Sequence, residues 1–225
     1  MDNIVMQEPS VEGDVKETAS VVFTKKPVYD FVKRVFDIVC SLFALIVLSP
    51  VLLIVAVIIM IDDFGNPFFV QKRTGKDSKV FKMYKFRSMR LNAESERNSL
   101  LSQNEADGPI FKITEDPRIT KFGKFIRKTS IDELPQLLNV LKGEMSIIGP
   151  RPLPTYEQEA CNEYQQQRLL VKPGLSCYTA LDKDAHDDFD RWIELDMKYI
   201  RERSFATDIK IIFKTVGVVL GSKNQ

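Results

Sequence analysis

A single histidine, His186, and three cysteines, Cys40, Cys161 and Cys177, stand among 225 residues. One imidazole excludes most His-based catalytic arrangements. An odd cysteine count without CxxC spacing leaves a disulfide framework and a Cys-rich zinc site unsupported. Neither GxGxxG nor GxxxxGK[ST] occurs, so the dinucleotide and P-loop fingerprints are absent. There is no excess of charge of one sign either. Lys plus Arg is 32 and Asp plus Glu is 31, a net of +1. That balance excludes a uniformly basic nucleic-acid binder and an acidic disordered chain, and no nucleic-acid partner is expected. The first residues lack a signal peptide's basic start, apolar centre and small-residue cleavage site. No internal repeat is visible.

What is present is unevenly placed. An apolar content of 44% with 15 Phe supports a real core, and 25.8 kDa suits one small domain with an appendage. Residues 1–30 hold six acids against three lysines and read as a mobile tail. From Ile38 to Ile61 run 24 residues without a charge. As a helix rising about 1.5 Å per residue, this run is long enough for a hydrocarbon core of about 30 Å. Ser49-Pro50 lies at its middle, where proline removes a backbone hydrogen bond and a kink is expected. Basic residues flank both ends: Lys25, Lys26, Lys33 and Arg34 before, Lys72, Arg73, Lys76 and Lys79 after. Basic flanks mark the cytoplasmic side. Having them on both sides favours a segment over 31–62 that enters, bends and returns, although a kinked spanning helix satisfies the same length.

The remainder, 63–225, reads as the soluble domain. Phe68–Arg73 and Val80–Arg87 have strand character around the turn-prone Thr74–Ser78. A helix followed by a loop is expected over 91–107, and further helices from about Asp132, over about 153–171, and from about Phe189 to Arg203. Asp208–Leu220 is amphipathic and suits either a membrane surface or the core. Between Lys72 and Arg90 lie eight basic residues and one acid, and between Lys112 and Lys128 six and two, nets of +7 and +4. Such a centre suits anionic headgroups or a polyphosphate substrate. The acidic run around His186 reads as a solvated loop rather than a metal site.

The stretch from Arg127 to Gly143 carries the most chemistry. Leu134, Leu137, Leu138 and Leu141 recur at helical spacing. Ser130-x-x-Glu133 matches a capping box. Pro135 speaks against it and for Asp132 as the cap, because Pro is tolerated only in the first turn. Asp132 and Glu133 then serve either the helix dipole or chemistry: an aspartate kept ionised among cations can attack phosphorus, and a neighbouring glutamate can hold Mg²⁺. Lys85 and Arg87 share one strand face, with Phe86 on the other. Gly149-Pro150-Arg151-Pro152 pins one arginine between prolines, which suits a phosphate clamp. Lys172-Pro173-Gly174 is a third turn of this kind.

Taken in order, these pieces resemble the bacterial sugar transferase family, the monotopic phosphoglycosyl transferases that start glycan assembly on polyprenyl phosphate. The resemblance runs from about Val32 to Val219. It includes Lys33-Arg34-x-x-Asp37, Ser49-Pro50, Lys85-Phe-Arg-Ser-Met89, Asp116-Pro-Arg118, the Asp132-Glu133 dyad, Gly149-Pro-Arg-Pro152 and Lys172-Pro-Gly174. It implies an α/β, helix-rich catalytic domain with a re-entrant helix kinked at Ser49 and Pro50 and amphipathic surface helices, on the cytoplasmic face of the inner membrane. It further implies that Asp132 attacks the β-phosphate of a UDP-sugar and releases UMP, and that the phosphosugar then passes to undecaprenyl phosphate. Glu133 would hold Mg²⁺. Lys85, Arg87, Arg118, Arg127 and Arg151 would bind phosphates, and Pro173 and Gly174 the nucleotide or sugar. The implied partners are the nucleotide sugar, the lipid carrier, inner-membrane lipid and the glycosyltransferases acting next; the oligomeric state stays open. After Lys-Pro-Gly the chain departs from many relatives with Leu175-Ser-Cys-Tyr-Thr-Ala-Leu181 and an acidic run to Asp190. Sugar choice is the property most exposed to that departure, and a binding module of the same fold without turnover is the alternative. A bitopic anchor carrying an interaction domain is the third reading.

Overall fold

A computed structural model of the chain describes residues 21, 23–182 and 184–221. Most of the expected tail, residues 1–20, lies outside the described residues, as does the side chain of His186. The first helix, α1, runs from Pro27 to Asp62 and so starts ahead of the expected boundary at 31. A proline in its first turn lacks an N–H that would have no partner there. Pro50 lies inside α1 and cannot donate to the carbonyl of Ile46 one turn back. The hydroxyl of Ser49 donates to that same carbonyl at 2.8 Å, which re-satisfies the acceptor that Pro50 orphans. α1 is long and apolar enough to cross a membrane, with a mean hydropathy of 3.2 over its most apolar window. Its middle is open to the surroundings: Phe43 is 67% exposed and Leu53 67%.

Both ends of α1 are anchored to the rest of the molecule. Near its start, Arg34 donates to the carbonyls of Val140 (2.6 Å) and Leu141 (2.8 Å), Asp37 accepts from the Ile147 amide (3.0 Å), and Lys33 pairs with Asp208 at 2.7 Å. Near its end, Val55, Ala56 and Ile59 pack against Phe86 and Ile126, with Phe122 and Ile131 beside them.

β1 (Phe68–Thr74) and β2 (Val80–Phe86) form an antiparallel hairpin around Gly75, as the alternation predicts. α2 (Lys121–Lys128) and α3 (Leu137–Lys142) follow, α2 capped by the hydroxyl of Thr120. β3 (Ser146–Ile148) pairs in parallel with β4 (Gly174–Ser176). Between them stand α4 (Thr155–Glu159) and α5 (Glu163–Gln166) rather than one helix over 153–171. Asn162 makes the break: it is extended and forms a capping box with Gln165, so α5 starts afresh. The helix expected within 91–107 is only a 3-10 segment, Asn98–Gln103, behind a left-handed Asn92.

α6 (Phe189–Glu202) buries Phe189, Trp192, Ile193, Met197 and Ile200 against Leu153 and Ile110, and forms the main core. The acidic run before it has local work, since Asp188 caps α6 and Asp182 pairs with Arg191 at 3.1 Å. α7 (Phe205–Gly221) closes the core with Ile211 and leaves Phe213 73% exposed. The helix-rich mixed α/β class expected from the sequence is the observed one.

Candidate active site

The Asp132-Glu133 pair does not sit where capping logic puts it. Ser130 takes a left-handed φ of 55°, residues Ile131–Gln136 form a 3-10 turn, and the α-helix begins only at Leu137. Pro135 fits because it lies in that 3-10 turn, ahead of the α-helix. Asp132 is therefore not the cap of α3, and the Ser130 side chain makes no capping bond. Released from the backbone, both carboxylates face side chains instead.

Glu133 Oε1 accepts from Lys85 Nζ at 2.7 Å and from Arg151 Nη2 at 2.6 Å. Lys85 comes from β2, and Arg151 from the turn after β3. Burial alone would raise the Glu133 carboxyl, but Arg151 and Lys85 outweigh it and hold it well below the usual carboxylate range. Asp132 is buried, at 7% exposure, and makes no ion pair within 4.0 Å among the described residues. Burial is the largest influence on it and raises its carboxyl; the charges of Lys85 and Arg127 pull the other way. Burial likewise pulls the Lys85 ammonium down against the opposing charge of Glu133.

These groups line a cavity of about 1040 Å³. Lys85, Arg87, Arg118, Arg127 and Arg151 all border it, and of these Lys85, Arg127 and Arg151 act on the Asp132 carboxyl. They are not equivalent. Arg118 holds Asp116 through Nε (2.9 Å) and Nη2 (2.6 Å) and the Ala93 carbonyl through Nη1 (3.0 Å), which leaves it a structural role. Arg127 Nε donates to Ser88 Oγ at 2.8 Å. Arg87 donates to the Asp63 carbonyl at the end of α1, while its buried Nε and Nη1 have no hydrogen-bond partner. An unpaired buried guanidinium edge is expensive and fits an anion.

Pro173 and Gly174 do not border the cavity; the next two residues, Leu175 and Ser176, do. Gly174 serves close approach. A Cβ there would lie 2.1 Å from the amide nitrogen of Gly149, so the two glycine turns pack backbone against backbone. That contact fixes the Arg151 turn. Arg168 fixes it further, donating to the Arg151 carbonyl at 2.5 Å while paired with the buried Asp196 at 2.6 Å. Ser49 and Pro50 lie in α1, away from the cavity lining.

Sequence reading missed Arg73, Arg97, Tyr156 and Glu157, which border the cavity too. Arg73 donates to the Pro152 carbonyl at 2.8 Å, and its strand forms a bridge to Pro154. Its position on the same strand face as Phe69 and Gln71 was the one available signal. Among the described residues no group of three or more His, Cys, Asp or Glu side chains gathers around a metal position. The dyad alone is a fitting donor set for a cation that takes its other ligands from a diphosphate, because Mg²⁺ typically uses one or two carboxylates plus substrate oxygens.

The model of the family described as bacterial sugar transferase matches residues 28–222, from the start of α1 to the end of α7. The chain belongs to the bacterial sugar transferase family. Within that family it is 46% identical to the galactosyl transferase CpsE of Streptococcus agalactiae over 84% of this chain and 42% of that protein. It is 42% identical to the undecaprenyl-phosphate galactose phosphotransferase of Salmonella typhimurium, over 84% of this chain and 40% of that one. The chain thus spans about two-fifths of the length of these sugar transferases. It also covers 90% of the exopolysaccharide production protein ExoY of Sinorhizobium fredii at 34% identity.

Proposed function

We propose that this sugar transferase moves a phosphosugar from a UDP-sugar to undecaprenyl phosphate, as the first membrane step of a bacterial glycan. The observation that carries this reading is the buried Asp132 inside a ring of cations, free of capping and of direct pairing. A carboxylate oxygen of Asp132 attacks the β-phosphorus, the bond to the bridging oxygen breaks, and UMP leaves with that oxygen. The resulting acyl phosphate is then attacked by an oxygen of the lipid phosphate, which forms the lipid diphosphate sugar and restores the carboxylate. Lys85, Arg127 and Arg151 keep Asp132 ionised and orient the diphosphate; the open edge of Arg87 takes a phosphate oxygen. Glu133 would hold Mg²⁺, which would supply charge neutralisation for the leaving UMP. Glu133 is pinned through one oxygen only, which leaves the other for that role.

Re-entry of α1 from the cytoplasmic face belongs to the same reading. Arg34 and Asp37 near one end, and Val55 and Ile59 near the other, pack on one catalytic domain. A straight helix crossing the bilayer would leave those ends on opposite sides, roughly 30 Å of hydrocarbon apart. Ile131, beside the nucleophile, packs against the cluster that holds Val55, Ala56 and Ile59, so the dyad lies near the second half of α1.

Incubation with a panel of UDP-sugars, undecaprenyl phosphate and Mg²⁺, following UMP, tests the chemistry. Release from no sugar in the panel would support the binding-module alternative. Cysteines placed by K25C and K72C test topology: both are expected to stay shielded from an impermeant reagent applied outside, and labelling of Lys25→Cys alone would sink re-entry.

A further inference from the structure

The cavity has two chemically distinct walls. One holds the dyad and its cations. The other is built from Arg97, Phe111, Tyr156 and Glu157. Five carboxylates border the space: Glu94, Asp116, Asp132, Glu133 and Glu157. Asp116 is taken by Arg118, and Glu133 by Lys85 and Arg151. Asp132 is the nucleophile of the proposed reaction, and Glu94 is exposed. Glu157 is buried yet makes no ion pair within 4.0 Å among the described residues; its one hydrogen-bond donor is the Phe111 amide. A carboxylate has about four acceptor sites, so most of its capacity is unused. Spare acceptor capacity on a cavity wall is available to a donor on a ligand.

We propose that Glu157 is the residue that reads the hydroxyl pattern of the donor sugar, on the cavity lining that it shares with Arg73 and Arg97. This rests on the transfer reaction above and adds the group that chooses its substrate. The position follows from the chain path. Arg151 and Glu157 belong to one short stretch, clamped to β1 where Arg73 bridges to Pro154, Thr74 donates to the Leu153 carbonyl (3.2 Å), and the Glu157 amide donates to Pro154 (3.1 Å). Arg73 donates to the Pro152 carbonyl, between Arg151 and Glu157 in the chain, and all three border the cavity, so Glu157 forms a layer beside the phosphate-holding groups. A hexose attached to the β-phosphate reaches that layer. The uracil lies further off, past the α-phosphate and a ribose. Arg97 is fixed by stacking on Tyr156 (4.4 Å) and Phe111 (5.0 Å), which leaves it a rigid brace rather than a mobile counter-ion. Burial pushes the Glu157 carboxyl up to about 7 against the opposing charges of Arg73 and Arg97. Near neutral pH it can both accept from and donate to a sugar hydroxyl.

The test compares kcat/KM for UMP release from UDP-glucose, UDP-galactose and their N-acetylhexosamine counterparts in the full chain and in Glu157→Gln, with UDP inhibition as a sugar-free readout. The expected result is a loss of at least about tenfold for the preferred sugar and less than about threefold for the poorest, with UDP inhibition unchanged. Equal losses for every sugar together with weaker UDP inhibition would assign Glu157 to the nucleotide and overturn the proposal, as would an unchanged preference. A wild-type chain that releases UMP from none of them removes the underlying reaction as well, a different result from intact turnover with unaltered preference. If Glu157→Gln does not fold, Glu157→Asp shortens the acceptor while keeping its charge, and the same preference ratio decides.

Discussion

Asp132 and Glu133 follow one another in a single 3-10 turn, yet the walls around them are built in opposite ways. Around Glu133, Lys85 and Arg151 close on one oxygen at 2.7 and 2.6 Å. Around Asp132 the same cations act through space, and burial is left as the strongest influence on its carboxyl. Identical chemistry and adjacent positions therefore give one carboxylate that stabilises the fold when ionised and one whose ionised form costs the fold something. Catalytic groups are commonly held in such a costly state, because the interactions that would satisfy the nucleophile would also quench it. Glu133 is tied to the turn's surroundings by its pairing; Asp132, unpaired, keeps its oxygens for the proposed attack.

The largest expected effect breaks the Asp132 side. Asp132→Asn is expected to lower UMP release by roughly 10³-fold or more, since no acyl phosphate forms. Its thermal midpoint should stay level or rise. A carboxyl raised on folding contributes stability below its unfolded pKa of about 3.9 and loses it as pH rises through the folded value, so at neutral pH the ionised group is a cost that Asn removes. Calorimetry beside the UMP assay checks both halves, and a variant that is inactive because it is unfolded would undo the contrast.

Glu133→Gln should do the reverse to stability. It strands Lys85 and Arg151, and with Glu133 partly open to solvent the loss is about 2–3 kcal/mol, below the usual range for a fully buried pair. The carboxyl is depressed on folding, so its contribution is complete above the unfolded value of about 4.3 and lost as pH falls through the folded one. Urea titrations from pH 6 to 8 should show a constant deficit. A deficit that vanishes at pH 8 would mean that Glu133 is not the paired member.

A pH profile sharpens the comparison further. In the proposed reaction Asp132 attacks only when deprotonated, and burial raises its carboxyl, so the acid limb of UMP release should lie above the usual aspartate range, with rate rising with pH. Lys85→Met removes the strongest charge opposing that rise and should move the limb to higher pH. A limb at ordinary aspartate values would show that the cations, not burial, dominate at Asp132.

Local rules carried the hairpin, α6 and the membrane-length run, because their signals lie within a few residues: alternation around Gly75, a 3.6-residue apolar stripe, an unbroken apolar segment. They also brought Lys85, Arg127 and Arg151 to one site through the order of motifs. They failed on the dyad's own backbone, since a left-handed Ser130 breaks the ordinary preference of serine and its neighbours are held by partners distant in sequence, Ile131 in the cluster of Val55 and Ile59 and Glu133 on its two cations. Arg73 and Glu157 were invisible for a related reason. Their meaning comes from the bridge between Arg73 and Pro154, which joins strands far apart in sequence.

The smallest effect asks whether the membrane helix or the local pairs hold the dyad. Arg34 caps the far end of α3 by donating to the Val140 and Leu141 carbonyls, across one short helix from Glu133. Lysine keeps the charge near the helix C-terminus but cannot make the two-pronged contact, so Arg34→Lys should cost about 1 kcal/mol. If the dyad is set locally, UMP release in a lipid nanodisc should fall less than about threefold, because Lys85 and Arg151 still close on Glu133. A loss of about tenfold or more would reverse the assignment. The walls around the two carboxylates would then differ because α1 imposes the turn from outside, and the pairing of Glu133 would be a consequence of that turn rather than its cause.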